Sequence, residues 1–172
     1  QGILNSRVFR VYTSSDLVGV ELGGALKNII TIGAGFIDGH ELGNNSKAAF
    51  VTRGLAEITR LGVAMGARAE TFAGLSGMGD LVTSCYSGLS RNRYVGRELA
   101  KGRAAADIVA GMDQVAEGVA TTRHAVALAE SLGVDMPIAS ITKAVLAGEL
   151  DQQAAVEGLM TRAPVAEAPP QI

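Results

Sequence analysis

Residues 17–36 read LVGVELGGALKNIITIGAGF, and this stretch decides the fold. Its only charged side chains are Glu21 and Lys27. In a helix, the neighbours of Lys27 three and four residues away are Gly23, Gly24, Ile30 and Thr31. None is an acid, so Lys27 has no ion-pair partner on its own helix. Each glycine costs ~1 kcal/mol of helix stability relative to alanine. Such a cost implies that something approaches the backbone closely beside Lys27. The plainer reading is a snorkelling lysine, with its stem on apolar surface and its amine in water.

Working outward, Thr13, Ser14, Ser15 and Asp16 supply candidate N-caps, so the spacing predicts a helix over about 16–36. Residues 38–45 form a polar loop rich in Gly and Asn. Asn45 or Ser46 can cap a second helix over 47–65, with Phe50, Leu55, Ile58, Leu61, Val63 and Met65 near helical spacing and Gly66 as its stop. Residues 72–85, FAGLSGMGDLVTSC, are punctuated by Gly74, Gly77 and Gly79, so the backbone there turns sharply or is approached closely. Further helices are expected over 90–101, 118–132, 137–147 with Pro137 in its first turn, and 151–162 capped by Asp151; residues 107–117 are irregular or one short helix. Residues 8–12 (VFRVY) are a short β-like run, and 163–172 hold three of the four prolines and read as a frayed tail. The fold class is all-α, with roughly seven helices.

Composition agrees. The chain has 172 residues, 48% hydrophobic, with 4% aromatic, no Trp and 22 Gly, so its core is built from small aliphatic side chains that let helices pack closely. Formal net charge is −2, which favours neither nucleic acid nor a membrane surface. The longest apolar run, Ile29–Ile37, is too short to span a bilayer. The single Cys85 excludes an internal disulfide and fits a cytoplasmic, reducing compartment. His40 and His124 lack ligand-like spacing, so no metal site is expected. No glycine pattern follows a strand, so no dinucleotide fingerprint is present.

Chemistry concentrates at a few positions. Ser90 is a good N-cap, which puts Arg91, Asn92 and Arg93 in the first turn of a helix. Cations there face the positive end of the helix dipole, a cost of ~0.3–1 kcal/mol each. An external phosphate or carboxylate would reverse that sign, using free backbone N–H groups, two guanidiniums and an amide. The competing reading pairs the arginines with acids elsewhere. Asp80 follows Gly77-Met78-Gly79 and reads either as a plain N-cap or as a counter-charge for Lys27. Glu117 lies just before a helix, where dipole grounds alone would place it. Asn28 and Ser84 carry no signal of their own.

Taken together, GVELGGALKNIITIGAGFIDG (19–39), NSKAAFVTRGLAEITRLG (45–62), FAGLSGMGDLVTSCYSGLSRNRYVG (72–96) and VAEGVATT (115–122) resemble the C-terminal domain of bacterial NAD(P)-dependent glycerol-3-phosphate dehydrogenases, over about residues 9–161. The resemblance implies a 6-phosphogluconate-dehydrogenase-like helical bundle over 13–162, following a Rossmann domain of which residues 1–12 would be the residual end or linker. It implies Lys27 as proton acceptor, with Asp80 beside it on the substrate. Ser90, Arg91 and Asn92 would bind the substrate phosphate, and Asn28 and Ser84 would line the substrate. Arg91, Val115 and Glu117 would lie at the cofactor edge. The implied partners are glycerol 3-phosphate or dihydroxyacetone phosphate, NAD or NADP held mostly by the Rossmann half, that half itself, and a homodimer mate. The alternatives are a related dehydrogenase for another anionic substrate and a non-catalytic helical dimerisation module.

Overall fold

The structure, a computed structural model, describes residues 1–160. It contains nine α-helices and one π turn, and no strand among the described residues: α1 (Leu17–Gly39), α2 (Gly43–Ala64), α3 (Ala69–Ala73), the π turn (Leu75–Gly79), α4 (Asp80–Tyr86), α5 (Arg91–Ala100), α6 (Ala105–Ala110), α7 (Glu117–Ser131), α8 (Pro137–Ala147) and α9 (Gln152–Met160). The β-like run at 8–12 finds no strand partner among the described residues; the Asn5 side chain accepts from Val11 N at 2.7 Å, and the segment is exposed apart from half-buried Val11. The expected tail at 163–172 lies outside the described residues.

α1 is the axis of the bundle. Among the four N-cap candidates, Asp16 takes the role: its Oδ1 accepts from Gly19 N at 2.9 Å. Its Oδ2 accepts from Arg68 N at 2.9 Å and Thr71 Oγ1 at 2.6 Å, tying the start of α1 to α3. These three donors hold the Asp16 carboxyl below the usual carboxylate range, the Thr71 hydroxyl most of all. By length and composition α1 is apolar enough to cross a membrane. In this fold its apolar faces are taken by α2, α4, α5 and α7, and Ile29, Ile30 and Ala34 are completely buried. Burying each isoleucine contributes ~1.5–3 kcal/mol.

Glycines set how closely the neighbours approach. α5 rests on α1 with almost no side chain between them: a Cβ on Gly96 would overlap the Ile32 carbonyl, and one on Gly35 would overlap the Arg93 carbonyl. The π turn lies against α1 at Gly23, where a Cβ would stand 2.6 Å from Ser76 O.

Two features depart from the sequence reading. α2 begins at Gly43 and not at 47, with no side-chain cap, because Glu41 (φ 54) and Gly43 (φ +86) turn the chain at once into the helix. Asn45 and Ser46 then sit inside its first turn. The glycine-punctuated segment 72–85 folds into α3, the π turn and α4, which accounts for nine helices against roughly seven expected. Elements this short carry no readable periodicity; the burial of Phe72 and Leu81 fixes them.

Candidate active site

Lys27 projects from the middle of α1 toward α4. Its ammonium forms an ion pair with Asp80 Oδ1 and donates to Ser84 Oγ at 3.0 Å. The Ser84 hydroxyl in turn donates to Asp80 Oδ1 at 3.5 Å. Ser84 lies one helical turn after Asp80, so α4 presents both groups on the face that meets α1. Asp80 is the first residue of α4 and its side chain makes no cap bond. The carboxylate is turned to Lys27 instead, which answers the missing partner on α1 and leaves the snorkelling reading without support. The Lys27 side chain is 15% exposed and that of Asp80 41% exposed, so the pair opens to one side. Gly24, one turn before Lys27 on α1, has open space where a Cβ would be. The sequence reading expected close approach at both glycines; it occurs at Gly23 alone.

The next residue on α1 extends the site. Asn92 Nδ2 donates to Asn28 Oδ1 at 2.9 Å, and Asn92 Oδ1 accepts from Gly118 N at 3.0 Å. Asn28 Nδ2 faces Gly24 O at 3.5 Å. This chain of amides joins the middle of α1 to the N-termini of α5 and α7, and all of its groups are buried. Gly118 is required for it, since a Cβ there would stand 2.7 Å from Asn28 O.

At the start of α5, Ser90 caps the helix by accepting from Arg93 N at 3.4 Å. Arg91 is exposed. The two arginines separate here. Arg93 donates from Nε to Asp38 Oδ2 at 2.6 Å and from Nη1 to Ser87 O at 3.2 Å. Of the two readings of the arginines, the competing one holds for Arg93, which is committed to an acid at the end of α1, and Arg91 is the guanidinium left for an external anion; the Asn92 amide expected beside them is bonded to Asn28 and Gly118. Glu117 opens α7 and is exposed. Val115 is 70% exposed and lines a groove of about 520 Å³ between the α6–α7 segment and α8.

Sequence reasoning missed Asp38, Lys47 and Gly118. The sequence reading places Asp38 in a polar loop, whereas it stands in the last turn of α1, at the negative end of that dipole. That misfit, set beside the opposite misfit of Arg93, was the available signal. Cys85 is fully buried against Thr31, and burial pushes its thiol up to about 11, which makes it inert.

Residues 16–157 match the family model described as NAD-dependent glycerol-3-phosphate dehydrogenase C-terminus. The chain belongs to that family. Curated relatives include the glycerol-3-phosphate dehydrogenase [NAD(P)+] of Koribacter versatilis, 61% identical over 155 residues (90% of this chain, 46% of the relative), and that of Syntrophotalea carbinolica, 56% identical over 167 residues (97% and 50%). Among solved structures, glycerol-3-phosphate dehydrogenase from Coxiella burnetii superposes with a TM-score of 0.88 at 41% identity, covering 92% of this chain and 49% of that one. The chain spans about half the length of the curated relatives it matches. The family match starts at Asp16, the residue that caps α1, and ends at Glu157 within α9, so it takes in α1 to α8 and the first part of α9.

Proposed function

We propose that this chain is the substrate-binding and catalytic half of an NAD(P)-dependent glycerol-3-phosphate dehydrogenase, interconverting sn-glycerol 3-phosphate and dihydroxyacetone phosphate for phospholipid precursor synthesis. One observation carries the reading: the Lys27–Ser84–Asp80 cluster is joined through Asn28–Asn92–Gly118 to the N-termini of α5 and α7.

In this reading Lys27 exchanges a proton with the C2 oxygen, as general base in oxidation and general acid in reduction. Its ammonium, paired with Asp80, is the donating form. Ser84 holds the amine from one side, so Asp80 need not shift as the proton moves. Ser90, Arg91 and the free N–H groups of the first turn of α5 receive the phosphate, and this distant contact orients C2 against Lys27. Asn28, fixed by Asn92, lines the substrate beside Lys27. The nicotinamide cofactor, when bound, supplies or accepts the hydride at C2. The residues present suit only its edge: exposed Arg91, Val115 and Glu117 can border it, while no glycine-rich turn after a strand occurs among the described residues. A Rossmann domain preceding residue 13 is thus part of the proposal, with residues 1–12 as linker and 13–162 as the helical domain. So are a cytoplasmic setting and a homodimer mate.

The test is an amide NMR titration of the 172-residue chain with glycerol 3-phosphate, with glycerol as control. Shifts clustered at Lys27, Asp80 and Ser90–Asn92, and absent with glycerol, are expected. Equal responses to the two ligands would refute the phosphate site. The chain alone is expected to turn over glycerol 3-phosphate negligibly with NAD; a full enzyme's rate would refute the division of labour.

A further inference from the structure

The Ser87–Ser90 turn, which delivers the chain to the start of α5, is held by polar bonds and hardly at all by packing. Gly88 and Leu89 stand in solvent, Leu89 at 93% exposure. Inside the turn, Leu89 N donates to Ser87 Oγ at 3.2 Å and Ser90 N to Ser87 O at 3.4 Å. The flanking helices hold its two ends, Ser87 N donating to Thr83 O at 2.9 Å and Tyr94 N to Ser90 O at 3.0 Å. The remaining bonds come from one side chain and backbone, those of Arg93. Arg93 gives its backbone N–H to Ser90 Oγ and its guanidinium to Ser87 O, so it grips both ends of the turn.

Arg93 can do this only because its guanidinium is anchored elsewhere. Asp38 Oδ2 accepts from Arg93 Nε at 2.6 Å and from Lys47 Nζ at 2.8 Å. The Lys47 side chain is 3% exposed, and its ammonium lies 4.2 Å from the centre of the Tyr86 ring, the residue just before the turn. Two cations on one carboxylate leave the trio with a formal charge of +1 directly behind the first turn of α5.

We propose that Asp38 and Arg93 are positioning residues for the anion site: they fix the Ser87–Ser90 turn, and with it the N-terminus of α5 that receives the phosphate. The inference rests on the anion reading of Ser90–Asn92 given above. A planar fork reaching two acceptors at once is the property that distinguishes arginine from lysine. Arg93→Lys keeps the charge and leaves the Asp38–Lys47 pair intact, but cannot span both Asp38 and Ser87 O.

The experiment compares the parent chain, Arg93→Lys and Asp38→Asn by amide hydrogen exchange and by titration with inorganic phosphate and glycerol 3-phosphate. In Arg93→Lys, exchange at Ser90 is expected to accelerate about tenfold or more. Affinity for both anions should fall about tenfold. The amides around Lys27 and Ser84 should keep their shifts, and the melting temperature should barely move. Asp38→Asn should loosen the same amides; if that variant does not fold, Arg93→Lys decides alone. Unchanged exchange at Ser90 together with affinity within twofold overturns the proposal, because charge alone would then suffice. If the parent binds neither anion at Ser90–Asn92, the phosphate reading fails, and unaltered Ser90 exchange in Arg93→Lys still overturns the clamp separately.

Discussion

Two lysine–aspartate pairs flank α1, made of the same groups and put to different use. Lys27 pairs with Asp80 of α4, whose carboxylate side chain is 41% exposed, and Gly24, one turn before Lys27, has open space where a Cβ would be. Lys47 of α2 pairs with Asp38, but here a guanidinium occupies the same carboxylate oxygen and a tyrosine ring covers the ammonium. The first pair keeps an open side where a reacting oxygen can enter. The second has its ammonium buried and its carboxylate oxygen taken twice, with the Asp38 side chain 20% exposed. An ion pair alone thus says little about purpose; what distinguishes a site from scaffold is whether one partner still has somewhere to bind.

The comparison predicts opposite signatures. In this chain completed with the N-terminal half of the Koribacter relative, Lys27→Met should cut turnover ~10²–10⁴-fold, the usual range for a proton-transfer group, while thermal unfolding changes little. Near-normal turnover would return Lys27 to the scaffold. Asp38→Asn should do the reverse to the fold: it leaves buried Lys47 and half-buried Arg93 without a counter-charge, a loss of ~3–5 kcal/mol by denaturant titration. A loss below 1 kcal/mol would mean that the second pair is not closed. Gly96→Ala should cost ~1–3 kcal/mol by pushing α5 off the Ile32 carbonyl.

Glu57 extends the contrast to a carboxylate with no cation in hydrogen-bonding contact among the described residues. It is 3% exposed and accepts from Ile138 N and Ala139 N at the start of α8. Burial pushes its pKa up to about 7 from 4.5, against the lowering by those N–H groups. The folded state therefore binds a proton more tightly than the unfolded state. The stabilisation is full below pH 4.5 and is lost as pH rises through about 7. Melting temperature should fall between pH 5 and 8, and Glu57→Gln should flatten that slope; an unchanged slope would assign it to other groups. The smallest effect belongs to Gly24→Ala, expected to stabilise α1 by ~0.5–1 kcal/mol because nothing meets the new methyl. The same variant should weaken glycerol 3-phosphate binding if that open space is where the substrate lies.

The sequence made Lys27 conspicuous because a helix has fixed neighbours: no acid at three or four residues meant a partner from elsewhere. Ser90 was readable as a cap for the same local reason, and the all-α class followed from small aliphatic residues and helical spacing. What escaped was everything decided between elements. Arg93 stays open between an anion ligand and a partner for a distant acid, since nothing in its own helix says that Asp38, 55 residues earlier, arrives beside it. Asn28 and Gly118 carry no signal apart, and Asn92 reads as a first-turn amide for an anion although its side chain meets Asn28 and Gly118, because an amide shows its worth only through what it meets. Gly23 and Gly24 are indistinguishable in the chain, yet one faces the π turn and the other faces open space.

The contact of α5 with α1 through Gly35 and Gly96 has a mechanical consequence. With carbonyls resting on bare backbone, no compressible layer separates the two helices, and neither can slide or roll without steric collision. Asn28 and Asn92 therefore travel together as a rigid body. Any hinge that opens or closes over Lys27 has to lie outside this pair, and adjustment at the site itself falls to exposed side chains such as Arg91.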